Sequence, residues 1–315
     1  MYNTDSKGIS NTAGFFILIG LWIGGLVVGS VLSIPIWLAL GSGSMMDMAE
    51  KMLYPEYSTA VRVIQVVSTA CIFFLPAYFT AFIMNKKPLK WLGLNGYFTS
   101  RQVLLSIILI FLGAVFSSTT TELMESIPIP AQLETFFRTL EDNYAAQVEA
   151  IASMNSFDEY LLALFMIAVL PGFFEEVFFR GGMQNLLTRS TNNPWMAIIV
   201  TSLIFSVVHF SFYGFLARVC LGIVLGLIFH YSQNLWLSII AHCFNNGFAV
   251  TQMYFLIREG KSVQEAMNDK IAIWWGILAV AGLYFLFVFF KKISAAYLAS
   301  VPPEEKPKEG HEWLN

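Results

Sequence analysis

Long apolar runs alternate with short polar loops along the whole chain. Eight runs have the length of a membrane span: residues 15–40, 59–84, 102–121, 160–187, 195–212, 215–231, 235–257 and 271–290. About 20 apolar residues, rising 1.5 Å each, cover a hydrocarbon core of about 30 Å. The pattern therefore predicts an all-α, polytopic membrane protein with about eight transmembrane helices. In the first run Gly20, Gly24, Gly25 and Gly29 form a small-residue stripe suited to close helix packing, and Pro35 is expected to kink its far end. The longest polar stretch, residues 122–158, is acidic and contains Pro128 and Pro130. Within it, residues 131–150 space Leu133, Phe136, Phe137, Leu140 and Tyr144 as on one face of an amphipathic interfacial helix, a lid or, more commonly, an anchor. Asn193 followed by Pro194 is a helix start, an N-cap with proline at the first helical position.

Composition agrees with this picture. The chain is 57% hydrophobic and 12% charged, against about 25% charged residues in soluble domains. Its net charge of −3 comes with scattered basic residues, so no nucleic-acid partner is expected. The partner implied is the lipid bilayer. Cys71, Cys220 and Cys243 lie in apolar runs at unrelated spacings and read as packing residues. Orientation follows from basic residues in short loops. The loop after the second run holds Lys86, Lys87, Lys90 and Arg101 without an acid, and Lys291 and Lys292 follow the eighth, whereas the loops after the first and third runs are acid-rich. Both termini are therefore expected in the cytoplasm, although the loop after the seventh run carries three bases and three acids. The first run is too long for a signal-peptide core and reads as a signal anchor of a multi-pass cell-membrane protein. The final residues lack a C-a-a-X ending, so the chain is not expected to be prenylated itself.

One stretch breaks the apolar pattern. Residues 172–182 read G-F-F-E-E-V-F-F-R-G-G and place Glu175, Glu176 and Arg180 inside the fourth run. A charge near a bilayer centre costs at least about 2.5–3.5 kcal/mol. Glu176 and Arg180 stand four apart and can pair on one helix face, which leaves Glu175 about 100° away to face something else. The fifth run carries His209, with Phe205 four residues before it; the seventh carries His242, with Asn246 four residues after. A single intramembrane histidine is more often a packing residue. Two histidines together with a carboxylate point to one interior cavity. At 1.5 Å per residue, Glu175 lies about 18 Å and His209 roughly 21 Å from the cytoplasmic ends of their runs, with His242 and Asn246 about 10 and 16 Å into theirs. The four groups can therefore meet in one layer. A carboxylate in a low-dielectric site is a stronger base, a histidine can hold the same water, and a second histidine and an amide can stabilise an oxyanion. In a second assignment Glu175, His209 and His242 are ligands of a zinc ion with an open water position. There is no H-E-x-x-H and no G-x-S-x-G; Ser202, Ser206 and Ser211 read as helix-face packing residues.

E-E-V-F-F-R, then F-S-V-V-H, then H-C-F-N-N resembles the CPBP intramembrane proteases, also called the Abi family, which includes the type II CAAX prenyl endopeptidases. Arg218, Gly222, Gly226 and the Asn234-Leu235-Trp236 stretch lie between the last two motifs in the family's order. The resemblance spans about residues 160–250. It implies a three-part organisation: an N-terminal three-span region with an amphipathic extracytoplasmic segment over 1–157, the CPBP-like catalytic core over 158–257, and the eighth span with a disordered cytoplasmic tail over 258–315. It implies an intramembrane endopeptidase acting on a membrane-associated protein or peptide. Glu175 would activate water, His209 would share that water, and His242 and Asn246 would form the oxyanion side. Glu176, Arg180 and Phe205 would support them. The family is often labelled metalloprotease, yet a metal-free glutamate mechanism fits the same residues, so zinc stays an open cofactor. His230 departs from the family, standing where a tyrosine is common, and reads as an interfacial residue without a catalytic role. Two other readings use the same features: a proton-coupled transporter with Glu175 and the histidines as a relay, and a non-catalytic scaffold of the same fold. Paired broken helices would favour transport; none is visible. Prenyl-peptide trimming, processing of exported peptides and bacteriocin immunity are equally open.

Overall fold

Helix boundaries are written in capping residues. The computed structural model of the chain describes residues 5–151, 154, 156–260 and 272–301. Nine helices carry the architecture among them: α1 (Asn11–Leu40), α2 (Ser58–Met84), α3 (Ser100–Glu125), α4 (Ala131–Ile151), α5 (Phe157–Thr191), α6 (Pro194–Val207), α7 (Phe215–Ser232), α8 (Leu235–Arg258) and α9 (Ile273–Ser300). Thr99 and Ser156 open α3 and α5 with reciprocal capping boxes to Gln102 and Glu159. Asn192 and Gln233 close α5 and α7 in the left-handed conformation, and the next residues, Asn193 and Asn234, immediately cap α6 and α8. Two tight reversals thus follow from an Asn-Asn and a Gln-Asn pair.

Helices occupy all eight expected span positions. Six of them, α1, α2, α3, α5, α7 and α9, are long and apolar enough to cross a membrane. The chain is a polytopic, all-α membrane protein. α6 is a shorter apolar helix of 14 residues. α8 has the length, at 24 residues, but its turns carry His242, Asn245 and Asn246 in place of apolar side chains. The amphipathic helix expected over 131–150 is α4. The fifth run differs from expectation. Its helix ends at Val207, and His209 sits in the turn beyond it. The solvated tail expected from residue 302 and most of the charged loop after α8 lie outside the described residues.

α5 is the hub, packing against α1, α2, α6, α7 and α8. Its buried Val177, Phe178, Phe179, Met183 and Leu186 form the centre of the largest apolar core, with Leu18 of α1 and Ala77 and Ala81 of α2. α3 and α9 pack on the far side of α7 and α8. The outer face of α9, with Ile273, Trp274, Ile277, Phe285 and Val288 exposed, suits lipid. The small-residue stripe of α1 divides in two. Gly25 and Gly29 meet the α2 backbone at Cys71 and Ser68, and Ser33 continues that line with a hydroxyl contact to Ser68 at 3.2 Å. Gly20 and Gly24 face open space.

A Cβ on Gly25 would overlap the Cys71 carbonyl oxygen, whereas one on Gly24 would meet nothing within 4 Å. Gly25→Val should therefore lower the thermal midpoint in detergent by the equivalent of about 1–3 kcal/mol of overpacking, and Gly24→Val should leave it in place. Equal midpoints for the two variants would contradict the packing described.

Candidate active site

The candidate site begins with how α5 is wound. Two stretches of it, Leu164–Val169 and Val177–Gln184, are π-helical, a form of widened turn that recurs at functional sites. Pro171 has no N–H for the carbonyl four residues back, that of Ile167. The Asn246 side chain of α8 donates Nδ2–H to that same oxygen at 3.3 Å. Next to it, Gly172 lets α8 come close: a Cβ there would lie 2.6 Å from Cys243 Sγ and 3.1 Å from its backbone nitrogen. Proline and glycine in adjacent positions thus seat α8 on α5 one turn before the two glutamates.

Glu176 and Arg180 form the pair expected from their spacing, with both side chains fully buried. Arg180 Nη1 donates to Glu176 Oε1 at 2.6 Å, and Nη2 donates to the Gly222 carbonyl of α7 at 3.1 Å. The same Glu176 oxygen accepts from His242 Nδ1 at 2.9 Å. One carboxylate therefore ties α5 to α8 directly and to α7 through Arg180. Gln184, one turn on, repeats the grip by donating to the Gly226 carbonyl at 3.0 Å.

Phe205 of α6 is buried between these groups. Its ring lies beneath the Arg180 guanidinium at 4.8 Å and packs edge-on against His209 and His242 at 4.9 and 5.9 Å. His209 Nδ1 lies 2.7 Å from the Phe205 carbonyl oxygen. A carbonyl only accepts, so Nδ1 carries the proton and Nε2 is the ring's acceptor. The histidine thus caps one carbonyl of the last turn of α6, which ends at Val207. Phe210 follows with φ 51°, a left-handed conformation that costs a bulky residue roughly 1–3 kcal/mol.

Glu175, His209, His242 and Asn246 all line one cavity of about 360 Å³, within the range of about 300–1,000 Å³ usual for ligand sites. The structure brings together all four residues that the motifs single out. Phe205 lines the cavity as well, whereas Glu176 and Arg180 sit behind it. Ser202 and Ser206 donate to the carbonyls of Ile198 and Phe215, and His230 is outside the lining. Three polar lining residues escape the motif reading: Gln65 of α2, Arg218 of α7 and Asn245 of α8. Gln65 left a trace in the sequence as an amide in an apolar run. Arg218 was visible only as a link between motifs. Among the described residues no three His, Cys, Asp or Glu side chains group closely enough to hold a metal ion.

Removing Arg180 leaves a buried carboxylate without its guanidinium, a class of change that costs about 3–5 kcal/mol. Arg180→Met should therefore sharply destabilise the protein in detergent melts, and adding Glu176→Gln should restore at least half of the loss. No recovery in the double variant would show that the pair is not the source of the effect.

Residues 157–248 match the family model described as type II CAAX prenyl endopeptidase Rce1-like. No curated protein and no solved structure gives a match. The matched segment starts with α5 and ends within α8, so it contains every motif residue on the cavity. Residues 157–248 thus resemble the Rce1-like type II CAAX prenyl endopeptidases of the CPBP family, a likeness that supports an intramembrane-protease kind of function.

Proposed function

We propose that this protein is a cell-membrane endopeptidase that hydrolyses a peptide bond of a membrane-associated protein or peptide, using a water activated by Glu175 and His209. The observation that carries this reading is the single cavity lined by Glu175, His209, His242 and Asn246. Glu175 takes a proton from water while His209 Nε2 accepts a hydrogen bond from the O–H that remains. The hydroxide attacks the substrate carbonyl carbon. The developing oxyanion receives hydrogen bonds from His242, whose Nδ1 is held against Glu176, and from the second Nδ2–H of Asn246. Glu175 then returns its proton to the departing amine, and the products are a carboxylic acid and an amine, which ionise to a carboxylate and an ammonium. In this reading every step runs through this chain's own residues.

A substrate of this class reaches the cavity from the membrane or its surface. The family's name makes a prenylated peptide the first one to try. The test is reconstitution of the full chain in liposomes with proteomic detection of released fragments. Glu175→Gln and His209→Ala should each slow fragment release by at least about a hundredfold, with the fold retained. Release at the wild-type rate in both variants would end the protease reading. Activity should also survive dialysis against a chelator; loss that added zinc restores would replace the metal-free water with a metal-bound one.

A further inference from the structure

The turn that carries His209 is held from outside the matched domain. α4 lies against it along one helix face, using residues 137, 138 and 141. Phe137 stacks on Phe212 with ring centroids 4.4 Å apart and an interplanar angle of 10°. The Arg138 guanidinium sits over the Tyr213 ring at 5.4 Å. Glu141 Oε1 accepts from Ser211 Oγ at 2.7 Å and from the Tyr213 backbone N–H at 3.3 Å. Ser211 Oγ in turn accepts from the Gly214 N–H at 3.1 Å, closing the turn on itself. Three successive residues after the left-handed Phe210 are thus each gripped by a different side chain of α4.

We infer that Glu141 is a positioning residue for the proteolytic reaction: through Ser211 and Tyr213 it fixes the 208–214 turn and so the placement of His209 at the cavity. This rests on the protease reading above. The chain leaves α6 at Val207 and enters α7 at Phe215, so neither helix alone dictates the path between them. A carboxylate accepting two hydrogen bonds at one oxygen ties two residues of that path to α4. Its partner atoms lie two and four residues from His209. α4 belongs to the polar stretch between α3 and α5, before the family match begins at residue 157. It therefore supplies a part of the site that the family motifs do not contain.

The test uses the full chain in liposomes with three variants. Glu141→Ala removes the acceptor, Glu141→Gln keeps an amide oxygen that can accept both bonds, and Thr139→Ala changes an exposed residue of α4 that bonds only within its own helix. Glu141→Ala should lower kcat by roughly ten- to a hundredfold, with KM within twofold of wild type. Glu141→Gln and Thr139→Ala should stay near the wild-type kcat. Hydrogen exchange over residues 208–214 should rise in Glu141→Ala and stay protected in the other two. Wild-type kcat in Glu141→Ala, or unchanged exchange over that turn, overturns the inference. A chain that shows no Glu175-dependent cleavage defeats the protease reading, and the positioning role falls with it. Cleavage that depends on Glu175 but is indifferent to Glu141 defeats the positioning role alone.

Discussion

One oxygen atom organises the core of this protein. Glu176 Oε1 accepts from Arg180 and from His242, on a side chain with no exposure to solvent. Placing a carboxylate and a guanidinium where lipid surrounds the bundle is expensive, and their mutual attraction offsets that cost only if the geometry is good. Here the satisfaction is incomplete: among the described residues, Glu176 Oε2 and Arg180 Nε have no hydrogen-bond partner. A pair kept for stability alone would be replaced by apolar side chains without loss. What the arrangement delivers is direction. It fixes His242 through Nδ1, holds α7 by the Gly222 carbonyl, and rests Arg180 on the ring that also touches both histidines.

Such directionality requires that helices approach closely, and the small residues show where. Gly172 removes the Cβ that would strike Cys243, so α8 sits against α5 beside the glutamates. Gly222 and Gly226 supply the α7 carbonyls that receive Arg180 and Gln184, and a Cβ on either would crowd Ser202 or Gln184 itself. The π-helical stretches of α5 bracket the same region. They widen the helix where its carbonyls and charged side chains serve neighbouring helices as well as their own ladder.

Much of this was legible in the residues. The four-residue spacing of Glu176 and Arg180 foretold their bond, and Asn193 before Pro194 foretold the start of α6. Other features were hidden for physical reasons. A membrane helix such as α1 is apolar on every face, so periodicity could not tell Gly25 and Gly29, which pack, from Gly20 and Gly24, which do not. The bond between His242 and Glu176 joins residues 66 apart, and no local pattern encodes that. The end of α6 is set by the His209 side chain turning back on Phe205 and by contacts from α4. An apolar run read by length continued through it to residue 212. Glu141 looked like one more acid in an acidic stretch, since its partners come from a turn 70 residues later.

The cavity groups share a design that follows from the scarcity of water in a bilayer. A polar side chain there needs partners on every free atom, or it will turn toward whatever is nearest. In three of the four, the rear atoms are already engaged: His209 Nδ1 by the Phe205 carbonyl, His242 Nδ1 by Glu176, and Asn246 by the Ile167 carbonyl and the Asn245 amide. Each anchor fixes a rotamer and, for the histidines, which nitrogen is left for the cavity. The acceptors and donors that remain are thereby aimed before any substrate arrives. Preorganisation of this kind lets a few dipoles stabilise a developing charge without rearranging. It also explains why so much buried polarity is placed behind the cavity in a protein whose surroundings penalise it.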